Sequence, residues 1–183
     1  DSYVGLYAET LRYVSWKLRQ LGCKVNRVGC DGALGSCTSL NSLGYRVIDC
    51  QLKESICKNC KRAQLKVSTD YVNNLQSDQA LLKPGAIDFI NKVEATLKEH
   101  LVVSAVLEMS YQELPLCKIA FYDFSMLSKL STTSQLNESA LSKFMLGLRD
   151  LVILLQHLKT FLQLNLLTHV VYINGNYSLN TLV

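Results

Sequence analysis

The sequence predicts an α+β fold: long amphipathic helices packed on a small antiparallel sheet, with a disulfide-tied loop region near the N-terminus. Three observations predict it. Apolar residues recur at helical spacing over three long stretches. Short runs such as RAQLKVS (Arg62 to Ser68) alternate apolar and polar residues as a half-buried strand does. Six of the seven cysteines fall between residues 23 and 60, in a glycine-bearing segment poor in large apolar side chains. The rival architecture is an all-α, cytokine-like helical bundle with a tied crossover loop, which requires residues 102–130 to be helical. With 183 residues, 49% apolar and 19% charged, the chain suits a single ordered domain, 1–183, carrying a cysteine-rich basic subregion at 22–66.

The first helix is expected over residues 3–21. Tyr3, Tyr7, Leu11, Val14, Leu18 and Leu21 line one face, Arg12, Lys17 and Arg19 mark the wet side, and Gly22 supplies a stop. Trp16 lies beside this stripe; packing into the core is favoured slightly over a role as a partly exposed anchor. Residues 22–44 hold five glycines and no sustained period, which reads as a long irregular loop. Strands are then expected at YRVIDCQL (Tyr45 to Leu52) and RAQLKVS, with KESICKNCK as the turn between them.

Pro84-Gly85 breaks the chain before a second helix, 86–101, whose inner face is Ile87, Ile90, Val93, Leu97 and Leu101. VVSAVLEM and CKIAFYDF are read as strands flanking Pro115, although a short apolar run does not by itself separate strand from helix. The clearest element runs from about Glu138 to Leu164. Leu141, Met145, Leu148, Val152, Leu155, Leu158 and Leu162 make a continuous stripe widened by Phe144 and Leu151. Last, HVVYINGNYSL reads as a hairpin, because Asn174-Gly175 suits the positive φ angles of a type I′ turn.

The cysteines follow C-x6-C-x6-C-x12-C-x6-C-x2-C, with Cys117 far off. A zinc site is built from two short hooks. Only Cys57 to Cys60 is such a hook, and His100, His157 and His169 all lie in later elements. A thioredoxin-like CxxC opens a helix after a strand in a parallel unit, whereas this one falls between two expected antiparallel strands. Structural disulfides in an oxidising compartment fit best, with Cys23, Cys30, Cys37, Cys50, Cys57 and Cys60 as candidates. A glycine-rich loop loses much chain entropy on ordering, and each cross-link offsets about 2–4 kcal/mol of it. Cys117, in an apolar run, is expected buried and unpaired. The sequons Asn137-Glu-Ser139 and Asn176-Tyr-Ser178 are glycosylation candidates in the same compartment, with an N-cap as the competing role of Asn137.

No constellation for catalysis emerges. Gly29, Gly32 and Gly35 match neither a dinucleotide fingerprint nor a P-loop, the histidines show no HxxxH spacing, and Glu94 and Glu99 read as solvated helix charges. No metal or other cofactor is expected. The run Phe144 to Val171 is too interrupted by charge for a membrane span, and no signal peptide is visible where the chain runs from Asp1 into an amphipathic pattern, as expected of a mature or trimmed chain. Charge is uneven: residues 1–66 carry eleven Lys/Arg against five Asp/Glu, a balance of +6, and residues 67–183 eight against ten, a balance of −2. Basic and aromatic residues interleave only at YVSWKLR, too little for a single-strand nucleic-acid groove.

The expectation is a secreted or surface-displayed, non-enzymatic protein that binds a receptor or other protein partner, acidic or glycan-bearing, through a disulfide-stabilised basic region. Lys53, Lys58, Lys61, Arg62 and Lys66 are the candidate contacts. The alternatives are a helical cytokine-like ligand and a carrier of a lipid or small apolar molecule held between the long helix and the sheet.

Overall fold

A computed structural model describes residues 3–30, 35, 53–59, 62, 72–75 and 82–164. The chain divides into two compact units, Asp1–Ser77 and Asp78–Val183.

The first unit opens with helix α1, Tyr3–Gln20. It stops where the glycine is. Gly22 takes φ 81°. Its N–H donates to the Arg19 carbonyl at 2.8 Å, and the Cys23 N–H reaches back to the Leu18 carbonyl at 3.0 Å. That pair of bonds is a Schellman cap, which satisfies two of the carbonyls a helix end leaves open. Strand β1, Arg27–Cys30, pairs in parallel with β2, Val72–Leu75, in the register Arg27↔Val72 to Cys30↔Leu75. Residues 53–59, in the connection between them, form a short helix, α2.

The second unit is helix on helix. It comprises α3 (Pro84–His100), a 3-10 turn at Val103–Ala105, α4 (Leu116–Ser128) and α5 (Glu138–Leu164). Pro84 stands at the start of α3, where its missing N–H costs nothing. Leu101 closes α3 and Lys129 closes α4 in the left-handed region, at φ 56° and 58°. Each sends its N–H to the carbonyl four residues back, Leu97 and Ser125 respectively. At about 1.5 Å per residue α5 runs roughly 40 Å. It packs along both α3 and α4.

The core lies where the three helices meet. Ala86, Phe89, Ile90, Val93 and Leu97 come from α3, Leu116, Cys117, Ala120 and Phe124 from α4, and Phe144, Met145, Leu148, Leu151, Val152 and Leu155 from α5. Phe124 and Phe144 meet edge to face, ring centroids 5.6 Å apart and planes at 89°. Aromatic quadrupoles favour that geometry over a flat sandwich. Each large apolar side chain withdrawn from water here contributes about 1.5–3 kcal/mol. Outside the core, Glu94 ties α3 to α5. It accepts from Lys98 at 2.8 Å and from Arg149 at 3.4 Å, and the Lys98 hydrogen bond holds its carboxyl below the usual range. In so wet a setting such a pair adds little stability.

This architecture corrects the α+β expectation. Among the described residues no antiparallel sheet underlies the helices; the helices pack on one another, as the all-α alternative requires. VVSAVLEM is a 3-10 turn and loop, and CKIAFYDF lies within α4. KESICKNCK, expected as a turn, is largely helical over 53–59, and β1 falls inside the segment read as irregular loop. Arg62, placed in a strand by its alternation, is helical. The YRVIDCQL strand, the rest of RAQLKVS and the HVVYINGNYSL hairpin lie outside the described residues. Among the described residues no helix is long and apolar enough to cross a membrane.

Candidate partner-binding surface

The expected α1 stripe holds at Val14 and Leu18 and fails at Leu21, past the helix end. Ser15 is buried, Val14 and Leu18 are half-buried, and Leu21 is 78% exposed. Leu21 sits at the Schellman cap, where the chain has already left the helical path. On the other side Tyr13 and Trp16 face outward, 59% and 48% exposed. Residues 13, 16 and 17 stand three and four apart and so share one helix face. There the two rings lie 5.9 Å apart at 39°. Lys17 holds its ammonium 5.0 Å from the centre of the Trp16 ring. This cation–π contact fixes a charge beside a flat apolar plate in water. The arrangement offers a partner stacking area, a phenol hydroxyl and a positive charge within one helical turn.

Of the basic contacts read from sequence, Lys58 and Arg62 are exposed and Lys53 is half-buried; Lys61 and Lys66 lie outside the described residues. Lys53 and Lys58 both belong to α2, but a spacing of five splays them around the helix rather than stacking them on one face. The basic candidates thus share the first unit with the Tyr13–Trp16 cluster.

Cys23 is an exposed free thiol just past α1, and Cys57, half-buried in α2, forms no disulfide either, which corrects the expected disulfide-tied loop at these two positions. Cys30 falls in β1, while Cys37, Cys50 and Cys60 lie outside the described residues. Cys117 is free and fully buried, and burial pushes its thiol up to about 12. Such a thiol carries no thiolate at neutral pH and is chemically quiet. Among the described residues no group of three His, Cys, Asp or Glu is placed to hold a metal ion.

One feature of the second unit escaped the sequence reading. Tyr111 and Leu114 exchange backbone hydrogen bonds of 2.9 and 3.1 Å across a two-residue turn. Gln112 and Glu113 both take positive φ, 52° and 69°. A turn of that kind prefers Asn-Gly, so nothing in Gln-Glu announces it. The surroundings hold it in place. Tyr111 stacks on Phe89 at 5.3 Å, its hydroxyl accepts from Gln112 at 3.0 Å and Gln156 at 3.4 Å, and Lys159 of α5 donates to the Gln112 side-chain oxygen.

No family model matches the sequence, and neither a curated protein nor a solved structure matches the chain.

Proposed function

We propose that this protein is a secreted or surface-displayed, non-enzymatic ligand that binds a receptor or other protein partner through its basic, cysteine-bearing first unit. The observation that carries the reading is the wet cluster of Tyr13, Trp16 and Lys17 on α1. Exposed Trp and Tyr forgo burial in the folded chain and are the residue types that dominate binding energy when a partner covers them. The positive balance of residues 1–66 favours an acidic partner surface and speeds its approach. Of the alternatives, the helical ligand gains support, because a helix occupies CKIAFYDF and a 3-10 turn and loop occupy VVSAVLEM, where strands were expected. That support is a likeness of architecture, and architecture alone does not dictate function.

The test is saturable binding of labelled protein to a panel of cell types, competed by unlabelled protein. Trp16→Ala is expected to weaken binding at least tenfold, the effect of losing one anchoring aromatic. Lys58→Glu with Arg62→Glu should weaken it further and flatten its salt dependence. Affinity unchanged in both variants, with helix content retained, contradicts the reading.

A further inference from the structure

We infer that Asn137 carries an N-linked glycan while still capping α5, the two roles using different atoms of one side chain. Asn137 is exposed and immediately precedes α5. Its side-chain oxygen accepts the Ala140 N–H at 2.8 Å, and its carbonyl accepts the Leu141 N–H at 2.9 Å. A backbone N–H can only donate, so the atom turned to the helix is the oxygen and the amide nitrogen faces away. The sequon is completed by Ser139, which is exposed, as is Glu138 between them. Sequence alone sets cap and acceptor against each other; the geometry makes them compatible.

The donor is an oligosaccharide joined to a lipid through pyrophosphate. The Asn137 nitrogen forms a bond to the anomeric carbon, the bond from that carbon to pyrophosphate oxygen breaks, the lipid pyrophosphate leaves, and the amide gives up one proton. The amide oxygen, and with it the cap, is untouched. Because the donor belongs to the secretory route, the inference rests on the extracellular reading above.

The chain is expressed behind a secretion leader in a glycosylating eukaryotic host, and the peptide containing Asn137 is mapped before and after an amidase that cleaves the sugar–asparagine bond. Glycan on Asn137, read as aspartate after the amidase, is the expected result. Asn137→Asp and Ser139→Ala should each abolish it and melt with the glycosylated protein, since Asp caps as Asn does and Ser139→Ala leaves the cap intact. Asn137→Ala should abolish it and lower the melting temperature. A secreted, folded chain with bare Asn137 overturns the inference and leaves the functional reading standing. A glycosylated chain that melts well below Asn137→Asp overturns the shared-cap geometry. A glycan on Asn137 of a protein that binds no cell upholds the site and counts against the function.

Discussion

Single residues in this molecule can be weighed by what their backbone or burial demands. Gly22 has open space around the position a Cβ would take, yet its φ of 81° is one that L-residues rarely adopt. Gly22→Ala should therefore cost about 1 kcal/mol through strain alone, read as a lower denaturant midpoint. The stop was legible in the sequence because only glycine fits such a cap cheaply. Trp16 was not legible. It stands beside the apolar stripe, and periodicity alone does not say whether a flanking ring is packed or left in water; in the structure it is 48% exposed. Cys117 has a pH consequence. Its thiol is raised from 9.0 to about 12 by burial, so the unfolded chain releases the proton first. Its contribution to stability is full below about pH 9 and is lost as pH rises toward the folded value. Denaturant melts should show wild type losing more stability than Cys117→Ala between neutrality and about pH 10.

At the level of elements, the sequence was most informative where one helix has one dry side. The limits of α5, Glu138–Leu164, coincide with those of its leucine stripe. Phe144, fully enclosed between α5 and α4, is the test of that packing: Phe144→Ala should cost about 3–5 kcal/mol, measured by denaturant unfolding. The segment 116–128 was misread for a physical reason. Leu116, Cys117, Ala120 and Phe124 recur at helical spacing, but Ile119 and Phe121 also pack against the core, so the apolar run hides its period. In α3 the stripe was nearly right, although Phe89 is buried and Ile87 is 43% exposed. The cap of α4 gives a prediction of opposite sign. Lys129 sits at φ 58° on an exposed position, and Lys129→Gly should stabilise by about 0.5–1 kcal/mol, seen as a raised melting temperature.

On the scale of the whole molecule, two compact units divide the labour. Asp78–Val183 builds a helical core from its own apolar faces, and Asp1–Ser77 holds the basic charge and the exposed aromatic cluster. The pattern of charge and cysteine was visible in the sequence, because composition survives any error in secondary structure. The fold class was not, because it depended on short ambiguous runs. The account rests on the exposed Tyr13, Trp16 and Lys17 face of the first unit meeting a protein partner. The most direct measurement is saturable binding of labelled wild type and Trp16→Ala to the cell panel, competed by unlabelled protein. The account predicts saturable binding by wild type, weakened at least tenfold in Trp16→Ala. Equal binding by both proteins, with helix content retained, would contradict it.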